Sequence, residues 1–421
     1  MTWLRLALAN LRAAPLTSLV NAALLALGTA SIVLLLLIGE QFSSTLARDA
    51  RSIDLVVGAK GSPVQLVLSS VYHADVPTGN IVKADADRWA ADPRVAHAVP
   101  LSLGDSYRGF RIVGTTTDYP ALYAAQLASG RFWEAPMEAV AGAAAAREAG
   151  LVQDRRFAGA HGLVDGGHEH AGQPYRIVGV LQPTGTVLDR LILTSLDSVW
   201  NLHGEHESAH DNHEHDHDQN PEDEHDHGEA HEHDHADAHD DARENTSMLI
   251  RYASPLAATT LPRQINTESQ LQAAAPAFEV TRLLNLVGLG LDGLRAFAGV
   301  LILTAGFSVF AALYGALKAR RYDLAMLRCL GATRTELLWS LLLEGLMLAA
   351  LGAVLGLALG HGTMELIGRW LAASRGVSAT GWVWLPTESW LLLGLLVIGV
   401  LAAALPAWQA YRADVARTLA G

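Results

Sequence analysis

The sequence predicts an α-helical membrane protein with four transmembrane helices and a large α+β extracytoplasmic domain inserted between helices 1 and 2. Three observations carry this. Four charge-poor apolar runs are each long enough to cross a bilayer core, which takes about 20 residues of helix. Residues 40–286 separate the first run from the second, far more than the ~15 residues that unstructured connections rarely exceed. Half of the residues are hydrophobic, yet 17% are charged, a mixture that suits a membrane part joined to a folded polar part.

The first run is residues 13–39, charge-free between Arg12 and Glu40 and including Ile32 to Ile38. It is too long for a signal-peptide core and is expected to remain as an anchor. The second spans Phe297 to Leu317, the third about Leu337 to Gly360 with Glu344 its one charge, and the fourth about Ser389 to Tyr411. Positive flanks stay cytoplasmic. Arg5, Arg12, Lys318, Arg320, Arg321, Arg328, Arg334, Arg412 and Arg417 flank one side, whereas the short third connection offers only Arg369 and Arg375. Both termini are therefore expected in the cytoplasm and residues 40–286 outside.

In the outer segment, strand-like runs fall at Asp54 to Val57, Phe110 to Val113, Tyr175 to Leu181, Arg190 to Thr194 and Met248 to Tyr252. Helical pieces are expected around Ala84 to Ala91, Tyr119 to Ala128 and Ala139 to Gly150. Residues 40–50 should prolong the first span outward, and residues 267–295 should enter the second as a helical stalk. The single cysteine, Cys329, rules out an intrachain disulfide, so this domain must rest on its own core.

The net charge of −13 is misleading. Residues 204–244 hold 17 Asp and Glu against Arg243 alone, which leaves the rest of the chain slightly basic. No basic stripe exists to neutralise phosphates, so nucleic acid is an unsuited partner. No GxxxxGK[ST] phosphate loop occurs either; Gly58-Ala59-Lys60-Gly61 lacks both the spacing and the hydroxyl.

The segment 320–339, RRYDLAMLRCLGATRTELLW, resembles the cytoplasmic connection of FtsX-like permeases, the group of MacB-type exporters and lipoprotein-releasing permeases. LALANLRAAPLTSLV near the start, LLLEGLMLAALGAVLGLALG in the third span and PAWQAYRADVARTLAG at the end agree with it. SGRFW (129–133), EAVAGAAAARE (138–148) and YRIVGVLQPTGTVLDRLILTSLD (175–197) resemble the MacB-like periplasmic core domain. The resemblance implies a bacterial inner-membrane ABC transporter permease with domains at 1–39 (tail and first span), 40–286 (periplasmic core domain with stalk) and 287–421 (FtsX-like permease domain). It implies as partners an ABC ATP-binding subunit and a second permease subunit, identical or related, in contact with membrane lipid, with a periplasmic binding or adaptor protein as a further candidate. ATP would be hydrolysed on the separate subunit, so the chain itself is not expected to be an enzyme. MacB exporters proper fuse their ATPase to the permease; the split form is that of other members.

Within the connection, Leu324, Leu327 and Leu330 give a short helix one apolar edge, Arg320, Arg321, Asp323 and Arg328 are polar, and Gly331 is placed to stop it. Thr333 with Glu336 should form a capping box for the third span. The resemblance implies that this helix docks on the ATPase; an amphipathic connector on the membrane surface would show the same pattern. Gly345, Gly352, Gly356 and Gly360 share one face of the third span, and Ala22, Ala26 and Ala30 one of the first, spacings that permit close helix contact. Glu344 is expected to pair with a neighbouring helix or to snorkel.

Residues 203–239 hold 12 of the 18 histidines. His206, His210, His213, His215, His217, His225, His227, His231, His233, His235 and His239 alternate with carboxylates, a donor set suited to zinc or another divalent transition metal in exchangeable sites. A disordered insertion over 203–245 is expected, since it has too few apolar residues for a core. The formal HExxH matches within it lack the packed helix a metalloprotease needs. His161, His168 and His170 form a smaller cluster.

Together these readings favour a permease that couples ATP hydrolysis in its partner to motion of the outer domain, a mechanotransmission that expels or extracts a substrate. The alternative is a scaffold that uses the same motion to activate a periplasmic hydrolase without transport. A third reading makes the histidine tract a metal-responsive gate linked to metal homeostasis.

Overall fold

The protein is described here from a computed structural model, covering residues 3–161, 173–202, 243–319, 326, 328–329, 331–375 and 379–412. It divides into two compact units, Met1–Ser43 with Asn285–Gly421, and Ser44–Leu284.

In the first unit a short amphipathic helix, Trp3–Ala13, precedes four helices long and apolar enough to cross a membrane. These are Pro15–Ala50, Pro276–Ala319, Arg334–Arg375 and Pro386–Arg412. The first span is prolonged through residues 40–50 as one continuous helix. The third runs fifteen residues past Gly360, because the polar residues His361, Glu365 and Arg369 find partners there instead of ending the helix. Its start carries the capping box: Thr333 N–H donates to Glu336 Oε2 at 2.8 Å, and Glu336 N–H to Thr333 Oγ1 at 3.3 Å.

Small residues set how these helices pack. A Cβ at Gly352 would lie 2.5 Å from Leu25 Cβ, one at Gly356 2.4 Å from Thr29 Cβ, and one at Gly360 2.9 Å from Val33 Cβ, so the third helix seats directly on the first. Gly345 instead meets Gly399 and Ala403 of the fourth. Gly28 abuts Ile302 and Gly306 abuts Ile398, bringing the second helix against the first and the fourth. Leu25, Ile302, Val309, Leu348 and Leu395 fill the shared interior. Exposed tryptophans stand near both ends of the spans: Trp370, Trp382, Trp384 and Trp390 at one, Trp339 and Trp408 at the other. This is the placement their amphipathic rings prefer at membrane–water interfaces.

The second unit is built on one mixed sheet. Its strands in chain order are β1 (Leu55–Ala59), β2 (Ile81–Val82), β3 (Val95–Tyr107), β4 (Phe110–Thr115), β5 (Leu127–Gly130), β6 (Glu138–Ala141) and β7 (Arg156–Phe157). There follow β8 (Ala160–His161), β9 (Tyr175–Leu181), β10 (Leu191–Ser195), β11 (Glu244–Asn245), β12 (Ser247–Tyr252) and β13 (Leu271–Ala274). The main order is β13-β1-β12-β3-β4-β10-β6-β9-β5, with β7 on β9 and β8 on β3; β11 pairs with β2 apart. β10 runs parallel to β4 and β6 to β9, and the other pairs are antiparallel. Side chains alternate between faces, as a pleated strand requires. Val56, Val113, Val140 and Leu193 enter one core. Their neighbours Leu55 and Val57, Ile112, Ala139 and Ala141, and Ile192 enter cores on the other face.

Four expectations for this unit need correction. Residues 123–128 are not helical: the helix is only Asp118–Leu122, and β5 starts at Leu127. Residues 138–141 form β6 and the helix is Ala143–Ala149, because the small alanines fit between β9 and β10 while a Cβ at Gly142 would lie 2.1 Å from Leu188 O, so that only glycine fits between them. The stalk helix starts at Pro276, since Leu271–Ala274 is taken up by the edge of the sheet. The insertion ends sooner than 245: Glu244 and Asn245 pair with Val82 and Ile81. β3, β13 and the helices Pro63–Ser70 and Ala257–Glu268 were not expected.

Candidate functional site

The end of the first helix, within the second unit, is bonded to three separate segments of the α+β domain. A helix leaves its last carbonyls without intrahelical donors. Here Tyr123 Oη donates to Asp49 O and Tyr72 Oη to Leu46 O, each at 3.0 Å. Val187 N–H donates to Asp49 Oδ1 at 3.0 Å, and Arg48 Nη1 to Gly185 O at 3.0 Å. The loop that supplies these partners, 184–187, is shaped by Asp189, whose carboxylate accepts from Thr184 N–H, Thr184 Oγ1 and Gly185 N–H at 2.8–2.9 Å. Gly185 takes φ +67°, a left-handed conformation that favours glycine. The T-shaped pair Tyr119–Tyr123 backs the clamp, and His73 Nε2 lies 2.8 Å from Tyr119 Oη. Burial, reinforced by Arg111, pushes the His73 imidazole down to about 3, so it is neutral at physiological pH.

The segments that carry the periplasmic-domain resemblance meet at one carboxylate. Glu138 opens β6 and is 5% exposed. It accepts from Arg131 at 2.7 Å, Arg176 at 2.6 Å, and the backbone N–H of Glu134 and Ala135. The Arg131 bonds foremost hold its carboxyl down at about 2. These residue types therefore lock three segments together, which is a structural role.

Of the sequence-selected residues, Arg320, Arg321, Asp323, Leu324, Leu327 and Leu330 lie outside the described residues, as do His168, His170 and every histidine of the 203–239 tract. Gly331 has φ +104° and donates to Arg328 O at 3.1 Å, a helix-ending geometry. Glu344 is buried and accepts from Asn10 Nδ2 of the N-terminal amphipathic helix at 3.3 Å.

One cluster escaped sequence reading. His361 Nδ1 bonds Gly381 O at 2.6 Å, its Nε2 meets the fully buried Glu388 at 3.1 Å, and its ring stacks on Trp384. One turn on, Glu365 accepts from Arg369, Thr380 and Gly381, while Gln41 makes two bonds to the Thr380 backbone. The i, i+4 pair His361 and Glu365 beyond the apolar run was the available signal. Its partners lie across a turn that spacing does not reveal.

Four helices apolar enough to cross a membrane, with an α+β domain between the first two, define a multi-span membrane protein with a large inserted domain. Two family models match: an FtsX-like permease C-terminal domain over residues 295–415, and a MacB-like periplasmic core domain over residues 18–220. The chain belongs to this FtsX/MacB-type permease family. Members of the family are ABC permease subunits that work with an ABC ATP-binding subunit. Among solved structures, the periplasmic region of MacB from Actinobacillus actinomycetemcomitans is 10% identical, covering 56% of this chain and 95% of that one at a TM-score of 0.34. The extracellular domain of the noncanonic ABC-type transporter YknZ from Gram-positive bacteria is 11% identical, covering 52% and 98% at 0.30. No curated protein matches the sequence.

Proposed function

We propose that this chain is a permease subunit whose separate ATP-binding partner hydrolyses ATP and that the resulting motion travels along its helices to the α+β domain, expelling or extracting a substrate. The observation that carries the proposal is the clamped helix end: the first helix runs unbroken from Pro15 to Ala50, and its last turn is bonded to Tyr72, Tyr123, Gly185 and Val187. A helix held this way moves with the domain it enters. In this reading both termini are cytoplasmic, the α+β domain is periplasmic, the 320–331 connection meets the ATPase, and a second permease subunit completes the membrane part. The histidine tract adds exchangeable divalent-metal binding, supported by its residue types and lost below about pH 6 as imidazoles protonate.

A spin label at exposed Val152, in a C329S background with the ATP-binding partner in nanodiscs, tests the coupling. The wild-type clamp is expected to give a nucleotide-dependent change in the distance between labels of two copies. The triple variant Y72F/Y123F/D189N removes two hydroxyl donors and turns one of the loop's two acceptor oxygens into a donor, and that change should largely disappear. An equal response in the variant would show that motion does not pass through the clamp.

A further inference from the structure

The second unit contains an open cleft of about 900 Å³, a size suited to small-molecule binding. Its apolar walls come from the end of the first helix (Ala47, Ala50), Ile53, and the start of the helix Pro276–Ala319 (Ala277, Val280, Leu284). Arg51, Asp54 and Arg251 bring charge to it. The Asp54 carboxylate already accepts from Tyr252 N–H at 2.8 Å. Arg51 and Arg251 are exposed and make no ion pair or side-chain hydrogen bond among the described residues. The cleft therefore offers two available guanidiniums beside a hydrocarbon surface.

That combination selects an anionic amphiphile. A neutral apolar segment would strip water from the guanidiniums without replacing its hydrogen bonds, and a small hydrophilic anion would leave the walls unused. Two further observations point to the bilayer as the source. Leu256 and Phe278, beside cleft-lining residues, are 78% and 69% exposed, a costly arrangement in water. On the wall helix, exposed apolar residues continue from Leu286 through Val287 and Leu289 to Leu294, on the same unbroken helix that supplies the second span. We propose that this cleft binds an anionic phospholipid, its phosphate held by Arg51 and Arg251 and the first part of an acyl chain lying on Ile53, Val280 and Leu284. Guanidinium–phosphate pairs are strong and geometrically specific, which suits retention of a single lipid over exchange with the bulk. The site requires a membrane but no ATP-binding partner, so its failure would leave the permease reading standing, and the reverse.

The test uses the full chain purified in detergent, equilibrated with phosphatidylglycerol or phosphatidylcholine, and examined by native mass spectrometry. Phosphatidylglycerol is expected to be retained preferentially, and R51Q/R251Q should cut that preference by about twenty-five-fold, near fivefold for each cation. A photoactivatable phosphatidylglycerol should crosslink to peptides within 251–284, and the variant should lose those crosslinks. Retention of the preference in the variant, or crosslinks elsewhere only, would overturn the proposal. Displacement of the lipid by sn-glycerol phosphate at equal concentration would overturn the lipid assignment in favour of a free anion. A variant that changes the monomer–dimer ratio while lipid retention stays constant would make the cleft a contact between copies.

Discussion

His73 and Glu138 are both held below their ordinary pKa values when folded, His73 by burial and Glu138 by the bonds it accepts, and each gives the α+β domain its own acid-sensitive window. His73 is neutral when folded down to about pH 3, whereas the unfolded chain protonates it near 6.5. The unfolded state therefore gains protons first, and stability falls as pH drops below about 6.5, by roughly 2 kcal/mol at pH 5. Replacing His73 with Gln, which keeps a partner for Tyr119, should flatten denaturant unfolding midpoints between pH 7 and 5; an unchanged slope would mean the imidazole is not held neutral. Glu138 is an ordinary depressed carboxylate: its stabilisation is present above about pH 4.5 and lost toward pH 2. E138Q should cost about 2 kcal/mol at pH 7, discounted because Arg131 and Arg176 are partly solvent-screened, and nearly nothing at pH 2. At this scale the sequence was legible only in part. A lone carboxylate in an apolar run signals that Glu344 needs a partner, but Asn10 as that partner depends on how a separate helix folds back. Tyr72, Tyr123 and Asp189 carry no spacing signal at all, since they converge only when the sheet brings distant segments together.

Among elements, the third helix shows how specific the packing is. G356A places a Cβ 2.4 Å from Thr29 Cβ and should destabilise the helix bundle by about 1–3 kcal/mol, whereas G299A, with nothing within 4 Å, should be neutral or slightly stabilising. Thermal unfolding in detergent distinguishes the two; equal effects would contradict the seating of the third helix on the first. The spans were readable because missing charge over 20 residues has few other causes. The misread segments of the α+β domain share a reason: Glu138–Ala141 and Leu271–Ala274 are short and alanine-rich, so propensity favours a helix while neighbours already in a sheet decide for strand. Val95–Tyr107 was missed because Pro100 and Gly104 interrupt its pattern, although thirteen residues form one strand.

For the whole molecule, the two-unit division and the family follow from features spread along the chain, and these survive local errors. Motif segments recognised separately in the sequence are tied by Glu138 and by the loop that Asp189 shapes, so their residue types reflect one folded object. Residues 204–244 stand apart in composition, with 17 acids, many histidines and too few apolar residues for a core. Deleting residues 204–242, which spares Arg243 and the β11 pairing of Glu244, should leave domain stability unchanged and remove zinc binding by the purified chain; zinc bound equally well by the deletion would assign the metal elsewhere. The most direct measurement is purification of the full chain from native membranes, followed by assay of ATP hydrolysis in the recovered complex. The account predicts stable recovery of an ABC ATP-binding subunit and ATPase activity that departs when that subunit is stripped away. Recovery of the chain from intact membranes with no ATP-binding subunit and no ATPase would contradict it.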